Sequence, residues 1–480
     1  MTHRVAVIGA GITGLTAARR LCQDARLQEQ NVEITVYEAS DRIGGKVITY
    51  RDERLTLEGG PDSILARKPA GIKLLRELGL ASEVVEQNPA STHTYIVKDG
   101  KLRSMPQGTH MAIPRDISTF MQSDVLSAQG KLRTLFDLLL PRTDLSKDVS
   151  LGQFLRTRLG DEWVDGLAEP LLAGIYAGNI DELSLHATWP QFGQLADEYR
   201  SLIIGARSMH PKAATAPATQ NGRSAFITVK GGLETVIERL ADELEPNVTI
   251  KKSHHITKLE QTAEGYQLTV ETKGDVTTAT FDAVLVCTPV KAMKQLLDVH
   301  LPARSKQFDV PYVSTATVIL GYPADSVDVD LSHASGFLVP RTENRAITAS
   351  TWVSSKWPHT TDERFVILRC YVGRAGQQTY LSLDDAEMAR LVQSEVRELV
   401  GLSASPVFHK VTRWNDAMPN YPVGHLRQWA NLEADIRASL PGVWVAGGGY
   451  RGLGLPDCIV HGEEVAKAAL SYLTQQVRSR

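Results

Sequence analysis

Cysteine is scarce, with four in 480 residues, at Cys22, Cys287, Cys370 and Cys458. They form no Cys-x-x-Cys pair and no metal-ligand spacing. The pattern excludes a disulfide framework and a zinc knuckle, and the thiols read as reduced, as in a cytosolic protein. A surplus of either charge is also lacking. Against 52 Lys and Arg stand 55 Asp and Glu, a formal net charge of −3, which leaves no basic footprint for nucleic acid. No apolar run approaches the roughly 18 residues that a membrane-crossing helix needs. The N-terminus MTHRVAVIGA lacks the basic-then-apolar order of a secretory signal. These absences point to a cytoplasmic location, with which peripheral membrane contact is compatible. There is no internal repeat, and the Ala/Thr/Pro-rich tract 212–224 reads as a mobile surface loop.

What the chain does have is length enough for about two to three domains, with 42% hydrophobic and 22% charged residues. Residues 4–9, RVAVIG, form a β-branched apolar run suited to a buried parallel strand. It leads at once into Gly9-Ala10-Gly11-Ile12-Thr13-Gly14 and the helical pattern LTAARRL. A G-x-G-x-x-G between strand and helix is a dinucleotide turn. Gly9 permits the tight bend, Gly11 lets pyrophosphate approach the backbone, and Gly14 lets helix and strand pack closely. The helix start offers free N–H groups and a positive dipole end to the phosphates. A second strand, EITVYE, ends at Glu38, placed to accept the ribose hydroxyls. Next come Ala39, then Arg42, Gly44, Gly45 and Lys46. The paired glycines open a second approach for the cofactor, and a cation there can meet pyrophosphate.

Further along, 281–289 (FDAVLVCTP) reads as another buried strand, ending beside Thr288, and 247–250 as a strand that brings Val248 to the adenine. Lys230-Gly231-Gly232 reads as the entry turn of the helix LETVIERLADEL. Between 113 and 211 the pattern is mostly helical, as suits a substrate cap. Leu132, Leu135, Phe136, Leu139 and Leu140 recur there at helical spacing and read as buried core. His425 and His461 have no acid–base partner evident from spacing and read as core or supporting histidines.

The stretch VWVAGGGYRGLGLPDCIVHG is a strand, a glycine loop and a helix expected to start near Asp457. No strand ending in an acidic residue follows it, and the chain stops about 25 residues later, too soon for a second βαβ half. The loop therefore reads as the far end of the first dinucleotide site. Gly447 and Gly448 would approach the pyrophosphate, with Leu455, Pro456 and Asp457 along the reactive half of the dinucleotide. The helix start would aim its positive end at negative charge there.

The run E-x-x-x-R-x-G-G from Glu38 to Gly45 resembles the signature of the flavin-containing amine oxidase superfamily. Four segments narrow this: LEGGPDSILARKP (57–69), EPLLAGIYAGNIDELS (169–184), VTRWNDAMPNYPVGH (411–425) and GLGLPDCIVHG (452–462). Together they resemble the porphyrinogen oxidases of haem synthesis over essentially the whole chain, and in particular the soluble Gram-positive branch that acts on coproporphyrinogen III. The resemblance implies an α/β fold with a Rossmann-like FAD-binding domain (1–75, 212–295, 426–480), a mixed-sheet substrate domain (76–112, 296–425) and a mainly helical cap (113–211). It implies non-covalent FAD, six-electron oxidation of coproporphyrinogen III to coproporphyrin III, O2 as acceptor and H2O2 as product. Flavin N5 is then the oxidant, and no side chain is assigned a catalytic role. Gly60, Pro61, Asp62, Ser63 and Trp414 join the cofactor site by the same resemblance. Lys68 before Arg67 is assigned to the substrate propionates, since cations bind carboxylates, and Tyr371, Gly174 and Tyr176 to the tetrapyrrole face. Transient contact with ferrochelatase fits such a role. Two other enzyme readings remain: a protoporphyrinogen IX oxidase of the same chemistry, and an amine oxidase, in which Cys458 would be a candidate for covalent attachment. A flavoprotein that mainly binds or relays porphyrin is the reading from outside the enzymes.

Overall fold

The computed structural model describes residues 2–208 and 224–479. The tract 212–224, except for its last residue, lies outside them.

Five short strands build the first sheet: β1 (His3–Ile8), β2 (Val32–Tyr37), β3 (Val248–Lys251), β4 (Ala283–Val286) and β5 (Val443–Val445). They are parallel and lie in the order β3-β2-β1-β4-β5, the doubly wound arrangement. Helices cover one face and an antiparallel meander packs on the other, so both faces are buried and the strands are continuous apolar runs. Val5, Val7, Val284 and Leu285 are all fully buried. Helix α1 (Ile12–Leu27) follows β1. A second helix, α2 (Pro69–Glu77), lies further on, and α3 (Glu169–Tyr176) belongs to the helical stretch. The last helix, α4 (Leu455–Ser479), leaves the loop after β5 and packs along α1. The C-terminal strand thus enters the sheet that the N-terminal strand opened.

A seven-stranded sheet stands apart, ordered Phe408–Pro419, Tyr312–Pro323, Phe365–Val372, Ile347–Trp352, Ala334–Leu338, His93–Lys98, Lys101–Ser104. One pair in it, Ala334–Leu338 with His93–Lys98, is parallel and the rest are antiparallel, so the sheet is mixed. The helix Asp385–Val400 covers it with Met388, Val392 and Val396, and a capping box of Asp384 and Glu387 starts that helix. The strand expected over 281–289 is divided. Phe281 closes a three-stranded antiparallel meander that the sequence reading missed, and β4 begins at Ala283.

From Ile117 to Ser208 every assigned element is a helix. One expectation fails in part here. Leu135 packs against the core and Leu140 is half-buried, but Leu132, Phe136 and Leu139 are 56%, 55% and 74% exposed, and the fully buried positions of the same segment, Thr134 and Asp137, are polar. Thr134 donates to the carbonyls of Gly130 and Leu159. Asp137 is paired with buried Arg158 and also accepts from the Ser201 hydroxyl and the Ile203 N–H. A fully bonded ion pair occupies the interior, so the apolar spacing pointed to the outer face. Among the described residues no helix is long and apolar enough to cross a membrane.

Candidate functional site

The turn after β1 is sewn to its neighbours through backbone. Gly9 N–H donates to the Tyr37 carbonyl at 2.7 Å and Gly44 N–H to the Ala10 carbonyl at 2.8 Å. Ala10 N–H reaches the Glu38 carboxylate at 2.9 Å, and Ser40 donates to the other Glu38 oxygen. Glu38 is therefore held at the end of β2, beside exposed Ala39, where the doubly wound fold places its ribose acceptor. A Cβ on Gly14 would lie 1.9 Å from the Gly9 carbonyl oxygen, so no side chain fits there. Arg42 is spent on its own loop, donating to the carbonyls of Ile43, Gly45 and Val47. Val248 opens β3 at the sheet edge, next to Ile34. Thr288 follows β4. Its carbonyl accepts from the Tyr450 hydroxyl at 2.9 Å, and its own buried hydroxyl has no protein partner among the described residues.

The C-terminal loop closes on the same place. Gly447 N–H donates to His461 Nδ1 at 3.2 Å, and the Gly448 carbonyl accepts from the Tyr421 hydroxyl at 2.5 Å. The Cys458 thiol, in the first turn of α4, points to the Gly452 and Leu453 carbonyls, with Thr13 from the first turn of α1 close by. Helix α4 starts at Leu455, two residues before the expected Asp457, with Pro456 in its first turn, where a missing N–H costs nothing. Two helix N-termini, the Glu38 carboxylate and the free Thr288 hydroxyl thus line one region. That donor set fits an FAD: backbone N–H groups for pyrophosphate, a carboxylate for ribose, and a positive helix end for the flavin.

Lys46 reaches inward to the Ala417 carbonyl and lies 5.9 Å from the Tyr312 ring centre. Burial lowers its pKa. A Cβ on Gly60 would sit 2.0 Å from the Lys46 carbonyl oxygen and 3.4 Å from the Trp414 ring, which keeps this turn flat. Trp414 Nε1 donates to the Gly59 carbonyl at 2.9 Å. Asp62 is paired with Lys356 at 2.9 Å and accepts from Ser63. Burial would raise its pKa, but Lys356 and Arg369 hold the carboxyl well below its usual range. Pro61 is half-buried in the same turn.

On the substrate side, Lys68 immediately precedes α2 and its ammonium is 2.6 Å from both oxygens of Asp457 in α4. Arg67 is exposed. Tyr176 is buried, and its ring centre lies 6.2 Å from that of Tyr421. Burial pushes its hydroxyl well above the ordinary tyrosine range. Gly174 falls within α3, and beyond that placement it lies outside the described residues. Tyr371 is half-buried, its ring 4.9 Å from the Arg369 guanidinium and its hydroxyl 3.3 Å from Thr351. It sits opposite Thr317, whose hydroxyl donates to the Gly59 carbonyl, so the Tyr371 strand borders the 59–63 turn.

Both histidines are buried and neutral. His425 donates to the Tyr450 carbonyl at 2.8 Å and stacks on Tyr421, and burial lowers its pKa. His461 is pulled down to about 4 by burial and by Arg451. Among the described residues neither is hydrogen-bonded to a carboxylate or a nucleophile. The sequence reading overlooked Tyr312, Tyr421, Lys356 and Arg369. Tyr421 lies in a segment that had been singled out, whereas the other three carry no local pattern.

Residues 12–470 match the flavin containing amine oxidoreductase family, which sets the class as a flavin-dependent oxidoreductase. The coproporphyrinogen III oxidase of Bacillus subtilis (strain 168) is 37% identical over 469 residues, covering 98% of each chain. The Staphylococcus aureus (strain NCTC 8325 / PS 47) enzyme of the same name is 35% identical, covering 98% of this chain and 100% of its own. A crystal structure from Exiguobacterium sp. 255-15, provisionally assigned as a protoporphyrinogen oxidase, superposes with a TM-score of 0.85 at 33% identity and 98% coverage of both chains. By this similarity the chain belongs to the coproporphyrinogen III oxidase family.

Proposed function

We infer that this protein oxidises coproporphyrinogen III to coproporphyrin III, with non-covalent FAD, O2 as acceptor and H2O2 as product. The observation that carries the reading is the single composite dinucleotide site. Its two glycine loops come from opposite ends of the chain and meet in one sheet. Full-length similarity to enzymes named for that substrate supports it.

FAD, when bound, would supply the redox chemistry that couples substrate oxidation to O2 reduction. The chain's own residues bind and orient. The turns 9–14, 44–46 and 60–63, with Glu38, Val248, Thr288, Trp414 and 447–448, hold the cofactor. The first turn of α4 presents its positive end to the ring. Lys68 takes a propionate, exchanging Asp457 for the substrate carboxylate, and exposed Arg67 can take another. Tyr176 and Tyr371 flank the tetrapyrrole, with Gly174 in the same wall. The Cys458 thiol is raised by burial and so is poorly suited to supply the thiolate that a covalent link needs.

The domain scheme is the one the resemblance implies, with the helical stretch as cap. The exposed stripe of Leu132, Phe136 and Leu139 gives that cap an apolar face for peripheral membrane contact in a cytoplasmic enzyme. A transient contact with ferrochelatase would hand the product on.

Purified protein is tested with coproporphyrinogen III and protoporphyrinogen IX side by side. Porphyrin fluorescence should rise with a kcat/KM at least about tenfold higher for the first. Equal or reversed values contradict the substrate assignment. Lys68→Ala should raise KM for coproporphyrinogen about tenfold, the scale of one charge-assisted contact. An unchanged kcat/KM removes Lys68 from the propionate site. Acid precipitation should release the flavin into the supernatant, and colour left in the pellet would mean a covalent bond.

A further inference from the structure

We propose that Arg369 is a positioning residue, which fixes the 59–63 turn of the flavin bed against the strand that carries Tyr371. The proposal rests on the FAD reading above. The turn is gripped from one side by three neighbouring strands of the seven-stranded sheet. Thr317 of Tyr312–Pro323 and Trp414 of Phe408–Pro419 both donate to the Gly59 carbonyl, each at 2.9 Å. Arg369 of Phe365–Val372, the strand on the other side of Tyr312–Pro323 from Trp414, donates to the Gly60 carbonyl. Its guanidinium also covers the Tyr371 ring at 4.9 Å. One side chain therefore touches both the cofactor turn and the substrate wall.

Two further features set this arginine apart from an ordinary brace. It is only 3% exposed, yet its Nε and Nη1 have no protein acceptor among the described residues. It shares a small cavity of about 20 Å³ with Glu58, Asp62, Thr228 and Trp357, room for roughly one bridging water. Thr317 and Trp414 secure the turn with neutral donors and none of this desolvation cost. The Asp62 carboxylate nearby offsets its charge, and the planar fork can donate and stack at once, which lysine cannot do. Arg369 would thus set the distance between flavin and tetrapyrrole, a distance to which turnover is steeply sensitive.

Arg369→Met and Arg369→Lys are compared with wild-type holoenzyme, by FAD affinity of the apoprotein, the visible spectrum of bound FAD, and kcat and KM. In R369M the Kd for FAD should weaken about tenfold and kcat should fall tenfold or more, while KM changes less than about threefold. The flavin bands should shift, and R369K should recover part of the kcat. An R369M protein with wild-type Kd, spectrum and kcat overturns the proposal, even if its melting temperature falls. Should R369M not fold, an R369K protein with unaltered kcat and spectrum overturns it equally. A wild type that binds no FAD sinks the functional reading and this proposal with it. A wild type that binds FAD but ignores coproporphyrinogen sinks only the substrate assignment, and the affinity and spectral comparison still decides on Arg369.

Discussion

The glycine turn after β1 and the helical stretch 117–208 treat polar groups in opposite ways. The turn keeps backbone N–H groups near a helix end for a ligand and uses almost no charged side chains. The helical stretch buries a complete ion pair, Asp137 with Arg158, and turns leucine and phenylalanine outward. In the first region close backbone approach dictates residue type, so sequence spacing and geometry coincide. In the second, hydrogen-bond completion decides which face goes inside, and apolar spacing alone points the wrong way.

The largest expected effect falls on the turn. Gly14→Ala places a Cβ 1.9 Å from the Gly9 oxygen. It should cost at least about 3 kcal/mol and leave almost no FAD bound after gel filtration. A stable, fully loaded variant would break the claim that backbone approach rules this region.

Next comes the buried pair. Asp137→Asn strands Arg158 and should cost about 3–5 kcal/mol in urea unfolding, whereas replacing both partners with leucine and methionine should cost far less. FAD affinity should stay unchanged in either variant. A shift in it would join the two regions that the comparison separates.

The third effect is a pH dependence at His461. Its folded pKa, about 4, lies below the usual value near 6.5. The unfolded chain therefore takes up the proton first as pH falls. This contribution is complete above about pH 6.5 and is lost toward pH 4, by up to about 3 kcal/mol. His461→Asn should flatten that limb of the stability profile, and an unaltered acid limb would remove His461 as its cause.

The smallest effect should come from Leu132→Ser, Phe136→Ser and Leu139→Ser, each within about 0.5 kcal/mol as befits exposed sites. A large loss for any of them would mean that the stripe packs after all.

The same contrast marks how far sequence alone carries. The turn at Gly9–Gly14, Glu38, the paired Gly44 and Gly45, and the C-terminal loop are where spacing placed them, because each is a local solution to a backbone problem. The union of β5 with β1 and β4 in one sheet was legible too, since the C-terminal loop lacked the partners of an independent nucleotide fold. Arg369, Lys356 and Tyr312 escaped. Each meets its partner across long separations, as when Lys356 pairs with Asp62 or Lys46 approaches Tyr312. The Lys68–Asp457 pair also joins distant segments: the C-terminal loop pointed to Asp457 and the resemblance to Lys68, but nothing in the sequence paired them.

One flavin site, reduced by a porphyrinogen, is the feature on which everything else depends. The direct measurement is anaerobic mixing of the FAD-loaded protein with coproporphyrinogen III, following flavin absorbance and porphyrin fluorescence together, with NADPH as the parallel reductant. Bleaching with porphyrin formation by coproporphyrinogen, and no bleaching by NADPH, is the predicted result. Bleaching by NADPH, or an oxidised flavin that persists with coproporphyrinogen III, would contradict it.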